Sequence, residues 1–317
     1  MEIYLKPLLK GTLTFVPGLA PVLDRHGAGG PSSASYCYGV WLKHLTLLWA
    51  SGFRGVPGTV AELGPGDTLG IGLAAVLSGT NRYYALDVVA HSGPDSTLPV
   101  FDDLVEMFRD RAPRPEKSWP DYDAHLDGSL FPRHILTDDH LDRCLAPSRI
   151  AEIREAIINS PSSGKKGDIA VRYVTPWSDS SAIMVESVDL AISHSVLEHV
   201  NDLDATYTAL RSWLKPGAYM SHQIDYTGHG ISKHWNGYRA CPEWMWRLLR
   251  GRRHYLINRE PHSEHMRRMR ALGFDVRCEL MNSQSHDGIV RSALVPRWAG
   301  LSDEDLTCSS AFVIAVR

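Results

Sequence analysis

The spacing of apolar positions changes period along the chain. Over residues 35–51, Tyr38, Trp41, Leu42, Leu45, Leu48 and Trp49 recur every three or four residues, which predicts a helix. Thr59–Leu63 is a short run of strand formers closed by Gly64-Pro65-Gly66, which predicts a buried strand. Residues 69–77 return to a helical pattern, and 82–89 read as a second strand with Asp87 near its end. Phe101, Leu104, Val105 and Phe108 then define one face of a helix over 99–109. Strand, helix, strand, helix in succession signifies an α/β protein with a parallel sheet and crossover helices.

The rhythm breaks between about 110 and 167. Proline-rich stretches precede a helical pattern at 147–159 and a Gly/Ser/Lys turn, so this segment reads as an insertion and a candidate lid. Strands are expected again at 169–175 and 188–193. A helix at 202–214, stopped by Lys215-Pro216-Gly217, leads to a strand at 218–226. A second insertion, 227–260, is rich in aromatic, His and Arg residues. A helix at 262–272 ended by Gly273, then strands at 274–281 and 310–316, complete the pattern. The expected division is an N-terminal helical segment, 1–55, and an α/β domain, 56–317, carrying insertions at about 110–167 and 227–260. The first nineteen residues are apolar but broken by Lys6, Pro7, Lys10 and Pro17. They are expected to pack against the core and not to form a signal peptide or a membrane span.

Bulk properties narrow the field. The chain has 317 residues, 44% hydrophobic and 22% charged, with a formal net charge of -3. That balance gives no electrostatic reason to expect a nucleic acid partner. Five cysteines, Cys37, Cys144, Cys241, Cys278 and Cys308, are scattered with no C-x-x-C pair. This speaks for reduced thiols in a cytoplasmic protein and against a disulfide framework or structural zinc.

The chemistry concentrates at Val60-Ala-Glu-Leu-Gly-Pro-Gly-Asp-Thr-Leu-Gly70. A strand, a Gly-x-Gly turn and a helix present unpaired backbone N–H groups to a ligand. A dinucleotide fold wants a third glycine where Leu69 stands, and Glu62 and Asp67 would repel a pyrophosphate. The two carboxylates suit a ligand with an ammonium group and a sulfonium. Glu62-x-Gly64-x-Gly66 resembles the first motif of class I S-adenosylmethionine-dependent methyltransferases, in particular the bacterial methyltransferase-11-like family. Asp87, in Tyr84-Ala-Leu-Asp-Val-Val89, matches the family's acidic residue for the ribose hydroxyls. Val188-Asp-Leu-Ala-Ile-Ser-His-Ser-Val-Leu-Glu-His-Val200 is similar to its fourth-strand segment, and Leu214-Lys-Pro-Gly217 to the turn before its fifth strand. The resemblance spans roughly 59–226 and, more loosely, the C-terminal strands. It departs at Thr68, where a third glycine is common.

The resemblance implies a Rossmann-like, mostly parallel seven-stranded sheet with helices on both faces, and S-adenosylmethionine as cofactor. It implies a cofactor site built from Glu62, Gly64, Pro65, Gly66, Asp67, Asp87, Val88, Trp177, Ser178, Asp179, Ser193 and His194. Asp87 would hold the ribose hydroxyls. Trp177 would stack on the adenine unless it is a core aromatic, and Asp179 would accept from the adenine amino group. Ser193 and His194 would pass the methionine part, chiefly by backbone contacts.

Methyl transfer asks the protein mainly to position an acceptor, and an oxygen acceptor also needs a base. Candidates at the ends of the fourth and fifth strands are His222, His199 and His229, in that order. Asp225 would orient a histidine or hold an acceptor hydroxyl. Strand alternation places His222 and Ile224 on one face, Gln223 and Asp225 on the other. Each histidine has the plain alternative of a satisfied core residue. No His/Asp/Glu set shows a recognisable metal-ligand spacing, so no metal ligand is assigned, while a divalent ion of the kind some sugar methyltransferases use stays open.

In the second insertion, the segment from His234 to Arg239 and Trp244-Met-Trp-Arg247 offer stacking surfaces for a sugar or a planar aromatic. Arg247, Arg250, Arg252, Arg253 and Arg259 could hold a phosphate or carboxylate; a solvated basic face over packed indoles is the alternative. The whole chain is similar to uncharacterised methyltransferases found with bacterial surface-glycan genes, which implies O-methylation of a sugar or glycan-type acceptor. The competing readings are a natural-product O- or N-methyltransferase, a non-catalytic S-adenosylmethionine-binding module and an NAD-dependent oxidoreductase. The partner expected is a small-molecule or glycan acceptor, without nucleic acid; monomer and homodimer both stay open.

Overall fold

The structure is a computed structural model that describes residues 3–18, 32–115, 130–160, 168–177, 179–253 and 256–317. One seven-stranded sheet organises them. Its strands are β1 (Thr59–Leu63), β2 (Arg82–Leu86), β3 (Ala170–Val174), β4 (Val188–His194), β5 (Leu214–Asp225), β6 (Asp275–Ser283) and β7 (Cys308–Val316), in the spatial order β3-β2-β1-β4-β5-β7-β6. The first five strands pair in parallel, and β7 runs antiparallel to both β5 and β6. The chain winds outward one way from β1 to β3 and the other way from β4, so the strand order reverses at the β1/β4 boundary. Ligands of open α/β sheets bind at the carboxyl ends of strands flanking such a reversal. This is the Rossmann-like architecture expected from the alternating pattern.

Strands covered on both faces must be apolar on both, and β1 is buried along its whole length. Its side chains divide by alternation: Val60 enters one core, Ala61 and Leu63 the other. The first core lies under α2 (Ala34–Ala50), α3 (Gly70–Leu77), α4 (Pro94–Arg109) and α6 (Pro147–Ile158). The second lies under α7 (Leu203–Trp213) and α9 (His262–Ala271). Helix α2 is capped by Ser33, whose side chain accepts from the Tyr36 N–H, and it is buried on nearly every side. It shares its core with α3 and α4.

Four expectations change. Helix α4 begins five residues earlier than the apolar stripe suggested, because Pro94 is accommodated in the first turn, where its missing N–H costs nothing. Lys215-Pro216-Gly217 does not precede β5 but bulges within it: the β4–β5 register shifts between Val188 and Leu190, and Gly217 takes φ +76°. The 130–160 part of the first insertion is core and no lid. Leu136 and Leu141, the latter in α5 (Asp138–Cys144), are fully buried with Ile153 and Ile157, and Arg149 donates to Val76 O and Thr80 O at the far end of α3.

The fourth change concerns the N-terminus. Helix α1 (Leu5–Leu13) packs on α8 (Glu243–Arg250) in the second insertion and not on the sheet. Ile3 bridges to Ser232, and Ile3 and Leu8 join a small core of Ile231, Tyr238, Cys241, Trp246, Leu249 and Ile257. Residues 284–307 add α10 (Asp303–Thr307) and a neighbouring cluster of Trp298, Leu301 and Leu306. These segments form a cap beside the sheet. No described helix is long and apolar enough to cross a membrane.

The α1–α8 contact is close because Gly11 has no side chain; a Cβ there would stand 2.1 Å from Leu249 O. Gly11→Ala is expected to lower stability by about 1–3 kcal/mol, the usual cost of forcing two packed backbones apart. Urea unfolding checks this, and an unchanged midpoint would rule out the contact as described.

Candidate active site

The carboxyl ends of β1, β2 and β4 meet at one level. Leu86, Leu63, Ser193, His222 and Val313 form a row across five strands, and the residues just beyond the first three are Asp87, Gly64 and His194. Gly64 and Gly66 adopt φ +62° and +76°, a conformation open to glycine and costly for other residues. Gly64 donates its N–H to Leu86 O at 2.8 Å. Its missing Cβ also makes room for Val196, whose Cγ2 would lie 2.6 Å away from one. Pro65 is buried, and Asp67, half-buried, offers its carbonyl to the Ser96 hydroxyl at 3.1 Å.

Glu62 lies underneath this turn. Its carboxyl is 2% exposed and accepts a 2.5 Å hydrogen bond from the Tyr83 hydroxyl, with the Gly72 N–H also bonding to it. Burial pushes its pKa up to about 8. The expected partnership with a ligand ammonium group is therefore replaced by a bracing role: the side chain points under the turn and carries it. Tyr83 reaches Glu62 by crossing α3 at Gly72, where a Cβ would stand 2.0 Å from its ring. Gly70 similarly admits the Cys37 sulfur of α2.

Asp87 projects at the end of β2. Its carboxylate accepts from Val88 N–H at 2.8 Å, with the Val89 and Gly66 amides also bonding to it, and desolvation raises its pKa. One carboxylate thus ties the second strand end to the glycine turn. Val88 beside it is 48% exposed. Trp177 is half-buried, its N–H donating to Asp87 O and its ring edge-on to Trp213 at 5.5 Å. Asp179 is exposed and accepts from Ser181 N–H, capping a short 3-10 turn. Ser178 lies outside the described residues.

Ser193 and His222 sit one row below the strand ends. Both side chains point with Leu63, Leu86 and Val313 into the second core. Ser193 Oγ and His222 Nδ1 are 2.8 Å apart, and His222 is completely buried with its pKa lowered to about 3 by desolvation. The first-ranked base is thus sealed between sheet and helices, beyond reach of an acceptor. On the same side, Tyr207 and His265 form a buried hydrogen-bonded pair, and Tyr226 and His262 form another that reaches the exposed Glu279. His194 points to the opposite face, edge-on to Tyr36 and His44 of α2.

The other three candidates do converge. A 3-10 turn at Leu197–His199 follows β4, and a loop through Asp225, Gly228, His229 and Gly230 follows β5. Because β4 and β5 are parallel neighbours, these loops are adjacent. Glu198, His199 and His229 each bring one donor atom to within 4.8 Å of the other two. The His199 and His229 rings lie 5.1 Å apart, and His229 Nε2 is 3.5 Å from Asp225 Oδ2. Asp225 also accepts from Thr227 N–H at 2.7 Å. Burial, reinforced by His229, lowers the His199 pKa to about 3, and burial, reinforced by Asp225, raises that of Glu198. The expectation of no ligand grouping is corrected here. The three residues span two loops, and only the strand order brings them together.

Residues not singled out from sequence complete the region. Val196 seats on Gly64, and Tyr36 stands close enough to Glu198 to feel its charge. Asn258 of the cap holds the 3-10 turn, donating to Leu197 O at 2.7 Å and Val200 O at 3.0 Å. Most of the aromatic surface expected in the second insertion is internal. Trp246 and Tyr238 are buried, Arg259 stacks on Trp246 at 4.2 Å, and Trp244 alone of these three is exposed. A cleft of about 220 Å³ opens next to the 3-10 turn, between Val200, Asn201, Asn258 and the side chains of Arg250, Arg259, Arg268, Arg297, Glu243 and Glu260.

No family model matches the chain, and no curated protein matches it. Among solved structures it is similar to an S-adenosylmethionine-dependent methyltransferase from Mesorhizobium loti, at 13% identity over 86% of this chain and 96% of that one, with a TM-score of 0.40. A second such enzyme, from Methanosarcina mazei, aligns at 10% identity over 85% and 96% of the chains, with a TM-score of 0.43. Geranyl diphosphate C-methyltransferase from Streptomyces coelicolor A3(2) aligns at 11% identity over 88% and 74%, with a TM-score of 0.42. At these values the likeness adds nothing to the strand order itself.

Glu62 makes stability depend on pH in a defined direction. Its folded pKa of about 8 stands above the ordinary 4.5, so rising pH ionises it in the unfolded chain first. This contribution is complete below pH 4.5 and is lost as pH rises through 8, at up to about 1.4 kcal/mol per pH unit. Glu62→Gln keeps the shape without the charge. Urea unfolding at about pH 5 and 8 should show the wild type losing a few kcal/mol more than the variant; parallel losses would refute the buried, protonated carboxyl.

Proposed function

We propose that the protein is an S-adenosylmethionine-dependent methyltransferase acting on a hydroxyl-rich acceptor of the sugar or glycan type. The observation that carries the cofactor assignment is the convergence of Gly64, Gly66 and Asp87 at adjacent carboxyl strand ends. Two left-handed glycines leave backbone exposed to close approach, and a carboxylate at the neighbouring strand end suits a pair of vicinal hydroxyls. Val88, apolar and exposed beside Asp87, suits one face of a base. The residues therefore fit a nucleoside placed against an open backbone turn.

When bound, the cofactor would supply an electrophilic methyl group for in-line transfer to an acceptor oxygen, whose proton would pass to a base. The chain's part is to place the acceptor. The cluster of Glu198, His199, Asp225 and His229 stands at the ends of β4 and β5, two residues beyond the Val196 contact with Gly64. Support for a polar acceptor comes from the adjoining cleft, where four arginines and two glutamates leave little apolar surface. Such a lining favours hydroxyls, phosphate or carboxylate.

Calorimetry with S-adenosylhomocysteine and with NAD tests the first half. S-adenosylhomocysteine is expected to bind, NAD is not, and Asp87→Ala should weaken binding about tenfold or more. Transfer of labelled methyl to a panel of nucleotide sugars and glycans tests the second half. No S-adenosylhomocysteine binding would overturn the cofactor assignment. Binding with methylation only of non-sugar acceptors would overturn the acceptor class alone.

A further inference from the structure

The cluster at the ends of β4 and β5 contains polar groups that the protein leaves unsatisfied. Glu198 is 2% exposed, and neither of its carboxyl oxygens has a side-chain partner among the described residues; the Glu198 and Asp225 backbone amides approach it without well-formed hydrogen-bond geometry. The Nδ1 of His199 is likewise buried and unpartnered. A buried carboxyl left in this way costs several kcal/mol on general grounds, and native proteins keep few such groups without a use. His229, exposed to solvent at the mouth, supplies the third donor.

We propose that Glu198, His199 and His229 form a binding site for a divalent transition-metal ion. Bonds of roughly 2.0–2.2 Å around one ion place tetrahedral ligands about 3.4 Å apart. The three donor atoms already lie within 4.8 Å of one another, and binding would draw them together. Two imidazoles and one carboxylate select an ion of the zinc, manganese or iron(II) kind over Mg²⁺ or Ca²⁺, which prefer all-oxygen shells. Three protein ligands leave a further position open to a small-molecule oxygen, the pattern of a reactive and not a structural site.

The surroundings look built for this. His229 takes φ +46°, an uncommon backbone conformation for a side-chain-bearing residue, between Gly228 and Gly230. Its ring stands 5.1 Å from that of His199. Asp225 Oδ2 stands 3.5 Å from His229 Nε2 and acts as a positioning residue, as carboxylates behind metal-bound histidines do. Asn258 fixes the turn that carries the other two ligands.

The role of the ion rests on the methyl-transfer reading: it would hold the acceptor's hydroxyl and ease loss of its proton. Its binding does not rest on that reading, and the test keeps the two apart. The full chain is stripped with a chelator and titrated calorimetrically with ZnCl₂, MnCl₂ and MgCl₂, with and without S-adenosylhomocysteine. One equivalent of Zn²⁺ or Mn²⁺ is expected, with Mg²⁺ at least tenfold weaker. His199→Ala and His229→Ala should each lose at least tenfold in affinity, and Asp225→Asn less. Co²⁺ bound to the wild type should show visible bands of nitrogen and oxygen ligation, which covers the case of a misfolded variant. No stoichiometric transition ion in the wild type, or undiminished wild-type affinity in both histidine variants, overturns the site. Metal binding without S-adenosylhomocysteine binding would leave the site standing and remove its methyl-transfer role.

Discussion

A carboxyl group placed inside a sheet must find a donor, and the hydrogen bond between Tyr83 and Glu62 meets that demand at the point where the ligand turn begins. Much follows from it. Tyr83 can reach Glu62 only because Gly72 leaves α3 bare where the ring crosses. Helix α2 can lie against the same stretch because Gly70 admits Cys37. Two strands and two helices are thereby locked around the turn, and its left-handed glycines are held in place by their neighbours. Val196 then seats on Gly64 and carries the fourth-strand loop into register with the first.

The two halves of the site are supported differently. The Gly64, Gly66 and Asp87 half stands on strand ends braced from below. The Glu198, His199 and His229 half stands on loops, and its 3-10 turn is held from outside by Asn258 of the cap. The cap is stiffened by stacking of guanidinium groups on indoles, Arg259 on Trp246 and Arg297 on Trp298 at 4.2 and 4.7 Å. Arginines that look from sequence like a phosphate clamp are therefore partly structural. Those lining the cleft can serve both ends at once.

The sheet was legible because parallel strands buried on both faces leave apolar runs between glycine turns, and each expected strand lies within a residue or a few of its place. The glycine turn and Asp87 were legible for the same reason: their chemistry is local to one strand end. The ranking of histidines was not. His222 and His199 look alike in sequence, and only the row containing Leu63, Leu86 and Val313 shows that His222 faces the core. The grouping of Glu198, His199 and His229 was equally hidden, since it depends on β4 and β5 being neighbours. Helix α1 offered no signal for its partner, because Gly11 matches a surface encoded at the other end of the chain.

That last distance has a consequence during synthesis. Thr14 accepts a hydrogen bond from Arg252, 238 residues downstream. At ordinary elongation rates, roughly 10–50 s separate the emergence of the two partners. For that interval helix α1 has no surface on α8 to dock on, while the glycine turn and its helices emerge between the two partners. The cap cannot close before Arg252 has emerged, and its apolar inner face is the one that must be kept from strangers until then.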